Sequence, residues 1–453
     1  MNRLLPSLFA LLLGGCVGSG VFGEPTHDDD TADDDDTPVS PFDEGVVELL
    51  DDTFRIDIER IDVGLDWTPG AETYLGEATV RFRMRPGQTV PVIHFTPPGD
   101  VGGDTIATLV LDDEPLDVGD SGDVLATTLP GSPQRVLELQ RVLDDSEHVL
   151  EVTWEAPAWW DDVAPGWLFT DVSDIAGEGN EILFPTINSP DELARHVIEL
   201  RVHAETPYRV LGSGLVEEVP GDEVQTWRLD TEREVASITV LLVAAPRSAV
   251  SWDERTVAGV DVRIASITEA WEVEQAFDDA EAVLEMLEAD FGPLPMEQGL
   301  SILLMTDYGG GMEYFGGTIT DGWALQHELV HMYFGTSTVA RTWRDSWWDE
   351  AINVWYLWPD GFDPLPGWWG SDMVSGRTPV QPSFDLRAYN EGAGVFDLVA
   401  ERVGGRAALV EALAAIRDEH TFSPFTTGDL VLYLEAETGV DLTDEFAQWV
   451  YGE

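Results

Sequence analysis

The chain runs to 453 residues and carries a formal net charge of −64, from 87 acidic residues against 23 basic ones, every one of them arginine. No basic stretch is left to follow a phosphate backbone, so nucleic acid is excluded as a partner. Cys16 is the single cysteine, which excludes any disulfide within the chain.

Met1 to Cys16 has the make-up of an export signal: one charge at Arg3, an apolar run from Leu4 to Leu13, then small residues. The run is too short to span a bilayer. It ends in Leu13-Gly14-Gly15-Cys16, which resembles the bacterial lipobox and marks Cys16 for acylation. A chain so lipidated is anchored to the bacterial cell envelope, at the outer membrane or facing the periplasm, without spanning the bilayer. An ordinary secretory signal with an incidental cysteine is the plainer alternative. Residues 17–45 are rich in Gly, Ser and Pro and hold the aspartate runs Asp28–Asp30 and Asp33–Asp36. Such a stretch repels itself and buries no core, so a disordered tether is expected. The aspartate surplus and missing lysine read as a bias of the source, a salt-adapted or GC-rich bacterium.

From Val46 to about residue 250 the apolar period is two. Phe54, Ile56 and Ile58 alternate with Arg55, Asp57 and Glu59, and Ala78, Val80, Phe82 and Met84 with Thr79, Arg81, Arg83 and Arg85; the spacing recurs at Leu150, Val152 and Trp154, at Ile198, Leu200 and Val202, and at Ile238, Val240 and Leu242. Half-buried antiparallel strands follow from that pattern, in a β-rich domain spanning 46–250. Near Ser266 the period becomes helical, with Val273, Ala276, Phe277, Ala280, Val283, Leu284 and Leu287 on one stripe that Gly292-Pro293 ends. A strand from Leu300 to Met305 precedes a glycine-rich turn, and helices are expected over Trp323–Phe334, Tyr389–Val403, Arg406–Glu419, Gly428–Glu437 and Thr443–Val450. The second domain, 251–453, is therefore α-rich.

It also holds the chemistry. In His327-Glu328-Leu329-Val330-His331 the histidines stand four apart, so on a helix both imidazoles leave one face about one turn apart. That arrangement suits two ligands of one tetrahedral zinc, and hydrolytic zinc takes a third protein donor while leaving a position for water. Glu350, in Trp347-Trp348-Asp349-Glu350-Ala351, is placed to be that donor. Glu328 then stands as the base that deprotonates water. Two structural histidines beside a solvated glutamate would be the bland alternative.

At these residues the chain resembles the aminopeptidase N family of gluzincin peptidases, which also contains leukotriene hydrolase. His327 to Gly335 is similar to the family's HELAHxWFG, and Trp343, Asp345, Trp347 and Glu350 fall where its WxDxWLNEG places them. Gly310-Gly311-Met312-Glu313-Tyr314 resembles GAMEN, Tyr389-Asn390-Glu391-Gly392-Ala393 resembles YxKGA, and Phe184 to Pro190 resembles FPxxDxP. The resemblance implies an N-terminal antiparallel, saddle-like β domain followed by a thermolysin-like α-rich peptidase domain with one Zn2+ per chain. It implies that Gly310, Gly311, Met312 and Glu313 bind the substrate, Glu313 taking the free α-ammonium of a peptide, and that Tyr389 donates to the oxyanion. It further suggests that Asp345 orients a ligand histidine, a capping or surface role being the alternative. Outside the family, Gly309-Gly310-Gly311 would be a flexible turn, Glu313 a solvated acid and Tyr389 a core aromatic.

The chain departs from the pattern at Asp349, Ala351 and Glu391, none of which removes a reacting group. The family's second amine anchor falls by spacing on Ala176, which cannot serve; Asp174 and Glu178 are its neighbours. The chain stops at Gln448-Trp449-Val450, about where the catalytic domain ends in the family, so the resemblance implies a shortened form without the family's C-terminal helical-repeat domain. The expected function is a zinc aminopeptidase, with a zinc endopeptidase or a catalytically silent peptide-binding lipoprotein as alternatives.

Overall fold

The computed structural model describes residues 40, 42–43, 45–96, 105–118, 122–128, 135–158, 166–170, 172, 179–221, 224–357, 374, 378–381 and 386–452. The chain forms two compact units, one of residues 45–250 with 378–383, the other of 251–377 and 384–453 joined by the stretch before residue 45. Cys16, the aspartate runs and residues 174, 176 and 178 lie outside the described residues.

The first unit is built on an eight-stranded sheet in the order Leu215–Val219, Gln225–Ala236, Leu193–Val202, Ile56–Trp67, Thr73–Met84, His148–Pro157, Ile106–Leu111, Glu114–Pro115. The alternation read from the sequence is what the strands bury: Tyr74, Ala78, Val80, Phe82 and Met84 from one, Leu150, Val152 and Trp154 from the next. The Trp154 indole lies on Gly76, its cross-strand partner, where a Cβ would stand 2.0 Å from the ring. Three points differ from the pattern. Val46–Phe54 is a helix whose apolar face (Val46, Leu50, Phe54) packs inward, so the period of two begins only at Ile56. Ile56–Trp67 and Leu193–Val202 pair in parallel within an otherwise antiparallel sheet. Ser237–Thr239 is a 3-10 turn and the strand starts at Leu242, because the stretch is buried on every side and so lacks a solvent face to enforce a period of two.

In the second unit the sheet order is Ser251–Val257, Val260–Ser266, Leu300–Leu304, Gly317–Thr320, Gly311–Tyr314. The helix Ala270–Phe291 links two parallel strands, as a parallel pair requires, and its buried stripe is the one expected, extended by Phe291. Glu269 and Glu272 cap its first turn reciprocally, and Gly292 ends it at φ +80°. The helix Trp347–Leu357 is apolar nearly all round and is buried accordingly. Further helices run over Ala393–Val403, Arg406–His420 and Thr427–Thr438. Among the described residues no helix is long and apolar enough to cross a membrane.

The end of the acidic N-terminal stretch is not loose. Phe42 stacks on Tyr451 with centroids 4.5 Å apart, the Arg344 guanidinium lies over the same tyrosine and donates to the Phe42 carbonyl at 3.0 Å, and Asp43 accepts from the Thr426 hydroxyl at 2.7 Å. The tether reading therefore fails for Ser40 to Asp43, where an aromatic ring and a buried carboxylate give the chain something to pack with.

Candidate metal centre

The metal-binding pentapeptide sits on a helix of six residues, Leu325–Val330, much shorter than the expected Trp323–Phe334. Beyond Val330 the chain tightens into turns closed by Gly335 at φ +105°, which bonds back through its amide to Thr338. The fold needs glycine there twice over, since a Cβ would also stand 2.6 Å from the Asp349 carboxylate. The short helix still sets His327 and His331 on one face, with Nε2 atoms 3.0 Å apart. Glu350 arrives from the first turn of Trp347–Leu357 and puts Oε2 at 2.9 Å from His327 Nε2 and 3.5 Å from His331 Nε2.

Donors at about 2.1 Å from a tetrahedral zinc stand roughly 3.4 Å from one another, close to these separations. Glu350 Oε2 is buried and makes no hydrogen bond, an orphan that a cation between the three donors would satisfy. The surrounding charge points the same way. Burial pushes the Glu328 carboxyl up to about 7, although both histidines pull it back. Burial disfavours a charged His331, yet Glu313, Asp349 and Glu350 together hold its pKa well above the usual value. Burial raises Glu350 too, and the two imidazoles outweigh it, leaving the carboxyl far below the ordinary range. Four carboxylates around two histidines make a site that is complete only with a cation, and His327, His331 and Glu350 fit zinc.

His331 shows what the sequence reading misplaced. Its Nδ1 faces Asp349 Oδ1 at 2.8 Å, the Phe334 carbonyl at 3.2 Å and the Asn353 side-chain amide at 2.6 Å. Asp345, assigned to orient a ligand histidine, instead accepts from Thr342 Oγ1 and from the backbone and hydroxyl of Thr427, holding the start of Thr427–Thr438. The orienting contact belongs to Asp349. Its signal was available: Asp349 and Asn353 are four apart on one helix and so face the same neighbour.

The remaining candidates gather around the same point. Gly311–Tyr314 is the outer strand of its sheet, and Gly311 passes so close to the base that a Cβ would stand 2.3 Å from the Glu328 carboxyl carbon. Glu313, two residues on, brings Oε1 to 3.9 Å from His331 Nδ1 and shares a cluster with Glu328 and His331. Met312 is buried beside it, while Gly310 lies at the mouth of the turn and accepts from Asp321 N at 2.8 Å. Tyr389 lies in a π-helical turn, Ala388–Gly392, and its ring faces that of His327 at 6.0 Å and 26°. Such turns concentrate at functional sites. This one packs so tightly on the Glu350 helix that a Cβ on Gly392 would meet Ala351 at 2.7 Å.

The chain thus joins a β-rich unit to a helical unit that carries a donor set fit for zinc. The chain is similar to a two-domain M1 zinc metallopeptidase solved with L-arginine (TM-score 0.67, 18% identity, 88% of this chain and 94% of that one) and to the M1 metallopeptidase of Deinococcus radiodurans solved with a Tyr-Ser-Ala substrate (0.66, 18%, 88% and 94%). Yeast LTA4 hydrolase is similar over 88% of this chain and 68% of its own, at TM-score 0.64 and 12% identity. In sequence it is 25% identical over 148 residues to Aminopeptidase M1-A of Oryza sativa subsp. japonica and to Aminopeptidase M1 of Arabidopsis thaliana. The aligned stretch covers 28% of this chain and 17% of either relative, so the chain spans only a small part of their length. No family model matches the chain. In fold and in the order of its motifs the chain is similar to these M1 peptidases.

Proposed function

We propose that the chain is a zinc aminopeptidase that removes the N-terminal residue of peptides. The observation that carries the reading is the convergence of His327, His331 and Glu350 on one point, with Glu328 and Glu313 in a second cluster that shares His331. His327, His331 and Glu350 would hold the zinc, which would supply a Lewis acid for the scissile carbonyl and for water. Glu328 takes the proton of the attacking water and returns it to the leaving amine. Tyr389, beside His327, donates its hydroxyl to the oxyanion of the tetrahedral intermediate, a contribution of a few kcal/mol in comparable sites. Glu313 accepts the free α-ammonium in charge-assisted hydrogen bonds, and the outer strand from Gly310 to Tyr314 takes the extended peptide alongside it. The relatives' activities and the amino acid and peptide held by the solved neighbours support this reading.

The deciding experiment compares an amino-acid arylamide with its N-acetylated form. Cleavage confined to the free amine is expected; equal cleavage of both would make the protein an endopeptidase. We further read Cys16 as acylated, which tethers the enzyme to the envelope; a Cys16→Ala chain should then leave the membrane fraction.

A further inference from the structure

A second feature of the catalytic unit is unused by this chemistry. Where the helix Ala270–Phe291 begins, the ends of Leu300–Leu304 and Gly317–Thr320 leave a cavity of about 360 Å³, within the range of small-ligand sites. Two indoles face it, and both are open to solvent: Trp271 is 67% exposed and Trp323 54%. Tryptophans so exposed lose the burial that normally justifies them. Neither makes a hydrogen bond or ring contact with the described residues.

The polar lining is acidic. Glu272, Asp279 and Asp321 contribute carboxylates, and no arginine lines the cavity among the described residues. Each acid has one oxygen committed to the protein. Asp279 Oδ1 accepts from Gln275 and Gln326, both at 3.1 Å, Glu272 Oε2 accepts from Glu269 N at 3.2 Å, and Asp321 Oδ2 accepts from Gly309 N at 2.5 Å. Among the described residues the other oxygens have no protein donor, and none of the three acids is in an ion pair. Asp321 is 7% exposed, and the Gly309 amide holds one of its oxygens in place.

We propose that this cavity is a binding site for an organic cation, of which the planar guanidinium of an arginine side chain is the best fit. The indoles offer their faces for stacking and cation–π contact, and the three open carboxylate oxygens offer acceptors that a guanidinium fork can reach. The cavity adjoins the metal helix through Gln326 and the glycine turn through Gly309, so its occupant lies beside the peptide-binding strand without touching the zinc donors.

The test uses the full chain labelled with 5-fluorotryptophan, with the Trp271 and Trp323 resonances assigned from the Trp271→Phe and Trp323→Phe proteins. The probe is N-acetyl-arginine amide, which has no free α-ammonium, against N-acetyl-citrulline amide, its neutral isostere. Both resonances should titrate with the arginine probe, and the citrulline probe should bind at least tenfold more weakly. Asp321→Asn and Asp279→Asn keep an acceptor for their protein donors and should each weaken the arginine titration at least fivefold. The Glu313→Gln protein should titrate as the parent does. Unmoved resonances, equal response to both probes or full binding in both aspartate variants would overturn the proposal. Loss of binding in Glu313→Gln would do so as well, by moving the cation to the metal centre.

Discussion

The two units bury charge in opposite ways. In the β unit Glu192 and Asp230 are buried with their bases: Arg85 reaches Glu192 at 2.7 Å, Asp191 at 3.4 Å and Asp51 at 3.5 Å, while Arg195 and Arg228 share Asp230. In the catalytic unit Glu328 and Glu350 are buried and Asp349 half-buried, with histidines and one another for company, and the ion pairs among the described residues bring no arginine to them. A buried pair closes on itself and serves the fold. An unbalanced cluster is held in place by the fold around it and is finished only by something that binds. In a chain as acidic as this one, the lesson is to look for the acids whose partners are missing.

The comparison can be broken at several points. Glu328→Gln should lower kcat by roughly 10²–10⁴ while zinc stays near one per chain, since it removes a proton acceptor and no ligand; full activity in that protein would end the mechanism. Arg85→Met leaves Glu192 buried without its base and should cost about 3–5 kcal/mol in urea unfolding. A loss below about 1 kcal/mol would mean that water reaches the pair and that the contrast is overdrawn. Asp349→Asn should weaken zinc about 10–100-fold in a chelator competition, with kcat at saturating zinc changing far less. Unchanged affinity would return the orienting role to the Phe334 carbonyl and Asn353. The smallest effect concerns Asp43, whose carboxyl burial pushes up to about 6. A carboxyl raised in the fold keeps its proton while the unfolded chain loses one, so this term erodes stability as pH rises from about 4 to about 6. Asp43→Asn should flatten that segment of the melting-temperature profile, and a parallel profile would count against it.

Much of the catalytic unit was legible because its signals are local. The stripe from Val273 to Leu287 is a helix with one buried face, and the spacing of His327 and His331 carries both imidazoles to one side whatever surrounds them. The β unit was legible where a strand has a wet face, as at Thr73–Met84, and illegible where it has none, as at Ile238 to Val240. The parallel pairing of Ile56–Trp67 with Leu193–Val202 joins residues more than a hundred positions apart and leaves no trace in either stretch. The exchange of Asp345 for Asp349 has a similar cause. Both acids come shortly before the third ligand, and which one meets His331 depends on the turn at Gly335, a backbone geometry that composition does not spell out.

The contact of Phe42 with Tyr451 acquires a mechanical meaning once Cys16 is read as an anchor. A pull on the leader would reach the catalytic unit first at this stacked pair and at the Arg344 guanidinium that grips both residues. Tyr451 closes the last helical turn of the unit, so tension on Phe42 is passed to that part of the packing.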